Sequence, residues 1–148
     1  MESSTLSGDT AWAMSEENVE LTKGLNALIN RGDIEAMMEL LADDFVLTWP
    51  DPPPGAPSKI EGREAFRRFN AEWMQLFADW SRQVEEWFDA GDWVITAGSW
   101  VGTGKGSGAR VAQGRDFSAY RFQRGKVVEG IWGLPDKEAA LEAAGLSE

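Results

Sequence analysis

The 148-residue sequence contains neither cysteine nor histidine. The first absence removes disulfides, thiolate metal sites and a cysteine nucleophile. The second removes the Ser-His-Asp triad, the Cys-His dyad, imidazole metal ligands and the usual general base near neutral pH. Chemistry must fall to carboxylates, lysine, arginine, bound water or the single tyrosine, Tyr120. Basic residues are also scarce, 14 Lys and Arg against 25 Asp and Glu, for a formal charge of −11. A field of that sign repels phosphate backbones and anionic lipid, so neither nucleic acid nor a membrane is the expected partner. No apolar run approaches the ~20 residues that span a bilayer. Residues 1–13 lack the basic and apolar regions of a signal peptide, and a cytoplasmic location is expected. What is abundant is tryptophan, eight residues in a chain 43% hydrophobic. One domain with a large aromatic interior follows.

Residues 1–14 are rich in Ser, Thr and Gly and read as a flexible leader, with a single domain over 15–148. Ser15 can cap a helix whose Leu21, Leu25 and Leu28 share a stripe and which stops at Arg31-Gly32. Asp33 caps a second helix carrying Ile34, Met37, Met38 and Leu41. Phe45-Val46-Leu47-Thr48-Trp49 reads as a strand ended by proline. A third helix is expected over 62–79, with Phe66, Phe69, Trp73, Phe77 and Trp80 on one side. Strands are expected at 83–88, 93–101, 110–122 and 127–132, and Asp136 caps a last helix. This order is α+β, with helices on one face of a curved antiparallel sheet.

The glycine run at 102–108 lacks the Lys-Ser ending of a phosphate loop and sits in a hairpin. The acidic pairs Asp43-Asp44 and Glu85-Glu86 do not form a loop cage of hard oxygen ligands. Neither a metal nor a cofactor is expected.

Six motifs recur in a characteristic order: Asn30-Arg31-Gly32-Asp33-Ile34-Glu35, Leu40-Leu41-Ala42-Asp43-Asp44-Phe45, Glu61-Gly62-Arg63-Glu64-Ala65, Asp89-Ala90-Gly91-Asp92, Phe122-Gln123-Arg124-Gly125-Lys126-Val127, and the terminal stretch from Asp136 to Gly145. Together they resemble the NTF2-like superfamily and, within it, the SnoaL-like branch. The resemblance implies a cone with a central cavity, its sheet wrapped around helices, commonly in homodimers packed through the sheet. The superfamily includes ketosteroid isomerases, polyketide cyclases, dehydratases, epoxide hydrolases and proteins with no known activity, so function must be argued from the site.

Strand alternation sorts the side chains. The resemblance turns the Gly98 and Trp100 set inward, and with it Asp116, Ser118, Tyr120 and Trp132. Trp49 and Asp51 fall at the rim, and Trp73 comes from the third helix. Trp73, Trp80 and Trp87 also read as plain core, and Trp93 as part of a dimer interface.

Asp116 is the first catalytic candidate, because desolvation in an aromatic cavity raises a carboxyl pKa towards useful acid-base chemistry. It could instead pair with Arg115 or Arg110. Tyr120 could donate to a developing enolate oxygen. Asp51 follows the first strand where ketosteroid isomerases carry their base, although an aspartate in a proline-rich turn also caps backbone amides. Limonene epoxide hydrolases use an Asp-Arg-Asp set that this chain replaces with Trp100, Gly98 and Trp132, which argues against that activity.

The ligand expected is a small, apolar, cyclic molecule contacted by Trp49, Trp73, Gly98, Trp100, Ser118 and Trp132. The chain is then a cofactor-independent isomerase, cyclase or dehydratase, or else a non-catalytic binding or sensing protein of the same fold. A protein-interaction module like nuclear transport factor 2 is a third possibility.

Overall fold

The computed structural model describes residues 8–146. Helix α1 runs over Gly8–Arg31 and α2 over Ile34–Leu40, followed by strand β1 at Leu41–Thr48. Next come β2 at Lys59–Glu61 and α3 at Arg63–Gln75. Four long strands follow: β3 at Phe77–Ala90, β4 at Trp93–Gly104, β5 at Arg110–Gln123 and β6 at Lys126–Leu134. Helix α4 occupies Lys137–Ala143. Among the described residues no helix is long and apolar enough to cross a membrane.

The first helical turns follow their local signals. Helix α1 ends at Gly32, whose φ of 72° suits a residue without Cβ. Asp33 then accepts from the Ala36 backbone N–H at 3.3 Å and starts α2. The beginning of α1 differs from expectation. It starts at Gly8 and not at Ser15, so residues 8–14 of the expected leader belong to the helix, while residues 1–7 lie outside the described residues.

The sheet order is β2-β1-β6-β5-β4-β3. Its ladders are antiparallel as expected, with one correction: β1 runs parallel to β6, Leu47 opposite Gly130. The chain between them includes α3 and four strands, so no hairpin constrains their direction.

A second correction concerns residues 76–82. Helix α3 stops at Gln75, and Phe77 already pairs with Gly104 of β4. Asp79 accepts from the Thr103 backbone N–H at 2.8 Å, and Lys105 N–H donates to Leu76 C=O at 2.8 Å. The glycine run makes room for this. A Cβ at Gly102 would lie 2.7 Å from the Phe77 ring. Helical spacing of Phe77 and Trp80 is therefore overridden by long-range pairing.

Two apolar layers result. Leu25, Met37, Phe45, Phe66, Val94 and Tyr120 belong to the layer between the helices and the sheet. On the opposite face, Trp93, Ile95, Phe117, Ala119 and Ile131 pack with Ala140 of α4. Trp93, read as an interface residue, is only 8% exposed within this single chain.

Candidate functional site

Between the helices and the inner sheet face lies a cavity of about 60 Å³. Its apolar wall includes Leu25 and Ile29 of α1, Phe66 and Trp73 of α3, and Trp49, Trp100 and Trp132 from the sheet side. The rings touch in a continuous chain. Trp49 meets Trp132 at 5.1 Å and Trp73 at 5.8 Å, and Trp73 meets Trp100 at 5.8 Å. Most of these contacts are edge-to-face, the arrangement that ring quadrupoles favour. The interior is consequently narrower than an open, indole-walled chamber.

Of the expected ligand residues, Trp49, Trp73, Trp100, Ser118 and Trp132 line this cavity, as do Asp116 and Tyr120. Gly98 does not, and is corrected. It packs against β3, where a Cβ would fall 2.2 Å from the Gln83 carbonyl oxygen. Asp51 is also corrected. Strand β1 ends at Thr48 and the chain bends at Pro50-Asp51, leaving that aspartate exposed and away from the cavity.

Trp80 and Trp87, read as core, line the cavity from β3. Arg82 joins them without having been foreseen, and Thr96, of the same inward set of β4 as Trp100, lines the cavity too. A bulge between Val84 and Glu86 reverses the alternation of β3 midway, so Trp80, Arg82 and Trp87 reach the same side. Alternation counted from 83 could not have found Arg82; a strand drawn from Phe77 would have.

Asp116 is 8% exposed and accepts from Arg82 Nη1 at 2.7 Å. Its partner is neither Arg115, which contacts Glu85 and Glu86, nor Arg110, which contacts Asp79. Burial pushes the Asp116 carboxyl above the usual aspartate value, and the charge and hydrogen bond of Arg82 pull it back only in part. Arg82 is anchored at its root by α1. Asn30 accepts from the Arg82 backbone N–H at 2.9 Å and donates to its carbonyl at 3.0 Å. Because β3 is an edge strand, these bonds also occupy backbone groups that would otherwise face no strand.

Tyr120 is 8% exposed, and its hydroxyl oxygen accepts from the Trp132 indole N–H at 2.9 Å. Burial raises its pKa above the ordinary phenol value, with the Arg82 charge the largest opposing influence. The site therefore combines a buried carboxylate, a guanidinium, a neutral phenol and indole walls.

The SnoaL-like domain pattern matches residues 23–130, the greater part of the chain. The chain belongs to the SnoaL-like family. Solved structures agree with the SnoaL-like cone. An NTF2-like protein of unknown function from Burkholderia pseudomallei is 20% identical, with a TM-score of 0.69 over 78% of this chain and 88% of that chain. TerC, co-crystallised with polyporic acid, is 18% identical, with a TM-score of 0.69 over 85% and 96% respectively. A protein of ketosteroid isomerase-like fold from Catenulispora acidiphila, in complex with trimethylamine, is 17% identical, with a TM-score of 0.67 over 86% and 93%. At these identities the likeness is one of fold. No functionally curated protein sequence matches the chain.

Outside the SnoaL-like cavity, Pro54, Ala56, Ile60, Phe69 and Leu76 line a surface groove of about 580 Å³. Trp73 borders both spaces. It is the wall between them.

Proposed function

We propose that the protein binds a small, largely apolar, cyclic molecule in the tryptophan-lined cavity and moves a proton on it by carboxylate acid-base chemistry, without a cofactor. Isomerisation, cyclisation and dehydration all fall within this class. The observation that carries the reading is the Asp116 carboxyl, nearly out of solvent and set in an aromatic wall with a raised pKa. A carboxylate in that environment holds a proton more tightly than one in water, which suits it to take one from carbon or return it.

Arg82 orients one Asp116 oxygen at 2.7 Å and leaves the other available for transfer. Tyr120, kept neutral by burial, is the hydrogen-bond donor for oxygen on the substrate. The cavity is smaller than the roughly 150 Å³ engineered cavity known to admit benzene, so a ring enters by displacing part of the wall. Trp73, half-buried and shared with the outer groove, is the side chain placed to yield. The ligand-bearing relatives TerC and the Catenulispora protein support the use of such cones for small molecules.

A second reading, binding or sensing without turnover, is favoured by the Arg82 contact, which already engages Asp116. The two separate experimentally. Terpenoid, steroid and polyketide-like ring compounds are screened by tryptophan fluorescence, and those that bind are assayed for conversion. In Asp116→Asn the enzyme reading expects conversion to fall at least a hundredfold with affinity kept within a few-fold. Conversion unaffected by that substitution removes Asp116 from the mechanism, and tight binding with no conversion by the wild-type protein favours the sensor.

A further inference from the structure

Strand β3 is paired on one side only, with β4. On its other side two carboxamides of α1 stand in for a neighbouring strand, and both meet a single residue. Asn30 Oδ1 accepts from the Arg82 backbone N–H at 2.9 Å, while Asn30 Nδ2 donates to the Arg82 carbonyl at 3.0 Å. Asn26 Nδ2 donates to the same carbonyl at 3.3 Å. Asn26 and Asn30 are four apart, so the helix presents them on one face. A primary amide offers a donor and an acceptor together, as a peptide group does, so one side chain can close both halves of the missing ladder.

The residue held in this way carries the cation of the cavity. Arg82 Nη1 donates to Asp116 Oδ1 at 2.7 Å from two strands away. Two inter-strand spacings amount to about 9–10 Å. An edge strand that drifts outward takes the guanidinium from the carboxylate, and the hydrogen bond and the attraction weaken together. Regular pairing does not prevent this by itself, because a bulge between Val84 and Glu86 interrupts the β3 ladder just beyond Arg82.

Three titratable side chains line the cavity: Arg82 of β3, and Asp116 and Tyr120 of β5. The lining residues of α1, α3, β4 and β6, with Trp49, carry no ionisable group. Arg82 is thus the only cation in the wall. Asn26 belongs to that wall, whereas Asn30 stands behind it. The influence of Asn30 on Asp116 passes through Arg82.

We infer that Asn30 is a positioning residue for the proposed proton transfer: by fixing the Arg82 backbone, it holds the guanidinium against Asp116 and the carboxylate in its working orientation. The inference rests on the acid-base reading of Asp116 above and adds the part of α1 that governs it. Loss of the clamp has a definite sign. Burial pushes the Asp116 carboxyl up and Arg82 pulls it down, so a loosened Arg82 lets the value climb.

The test titrates the Asp116 carboxyl carbon by NMR in the ligand-free protein, its signal being identified by its loss in Asp116→Asn. Asn30→Ala is expected to raise the midpoint by about half a pH unit or more. Leu21→Ala is the control. It removes packing between α1 and the core without touching Arg82, and should lower the urea midpoint while leaving the Asp116 titration in place. Asn30→Gln keeps the amide one methylene further out, and its midpoint should also rise. It carries the test where Asn30→Ala does not fold.

An Asp116 midpoint unmoved in the folded Asn30 variant overturns the inference. Equal rises in Asn30→Ala and Leu21→Ala overturn it too, since Asn30 would then serve only the docking of α1. Failure of the acid-base reading shows itself differently, as wild-type conversion that Asp116→Asn leaves intact. That result withdraws the proton transfer, and the part of Asn30 in it, whatever the titration gives.

Discussion

Arg82 on β3 reaches across β4 to hold Asp116 on β5 at 2.7 Å, and neither side chain is more than 12% exposed. The register places Gly98 of β4 opposite Asp116 and Trp100 opposite Arg82, so one side chain spans three strands. Such a pair does not guarantee stability, because desolvation offsets much of the attraction. Its weight appears when one partner is removed.

Arg82→Met leaves Asp116 buried without its counter-charge and should cost about 3–5 kcal/mol at neutral pH, read from urea midpoints. Arg82→Met combined with Asp116→Asn should recover most of that loss. The pH dependence has a definite sign. Asp116 has a folded pKa raised above its ordinary 3.8, so its contribution is full below that value and declines as pH rises through the folded pKa. Without Arg82 the folded value climbs further, and the single variant should weaken relative to the double variant as pH increases. A gap between them that is flat with pH contradicts this account.

Gly98→Ala should destabilise by about 1–3 kcal/mol, since the added methyl meets strand backbone, which yields less readily than a side-chain tip. The contact is with the Gln83 carbonyl, one residue from Arg82, so ligand affinity should weaken as well. Denaturation and fluorescence titration of the same variant check both effects. An unaltered urea midpoint would mean that β3 is not held where the contact requires.

Tyr120 is the sole tyrosine, so tyrosinate absorbance reports it alone. Its raised pKa means that the neutral phenol contributes stability below the ordinary value of 10.0, which is lost as pH rises through the folded value. Alkaline titration should give a midpoint above 10.0 in the native protein. Trp132→Phe deletes the indole N–H that donates to Tyr120 and should move the midpoint higher still. Tyrosinate formation at or below 10.0, with the fold intact, would refute the buried assignment.

Much of the architecture was legible because its signals are local. The glycine stop after α1, the Asp33 and Asp136 caps and the Asp89-Ala90-Gly91-Asp92 turn need only nearby residues. Asp116, Ser118 and Tyr120 followed from alternation along an uninterrupted strand. Asp51 and Gly98 were misplaced because a bend and a close strand contact are invisible in a pattern of residue types. Arg82 was missed because the segment before it has helical spacing and a bulge reverses the alternation after it.

Composition already excluded histidine and cysteine chemistry and left carboxylates as the candidates, since no fold can supply a group that the chain lacks. The family order, too, is written in caps and turns. Which cation faces Asp116, where α3 yields to β3 and how little space remains among the indoles are different matters. They arise from pairings between residues far apart in the chain, whose free energy of packing outweighs the local preferences of each segment.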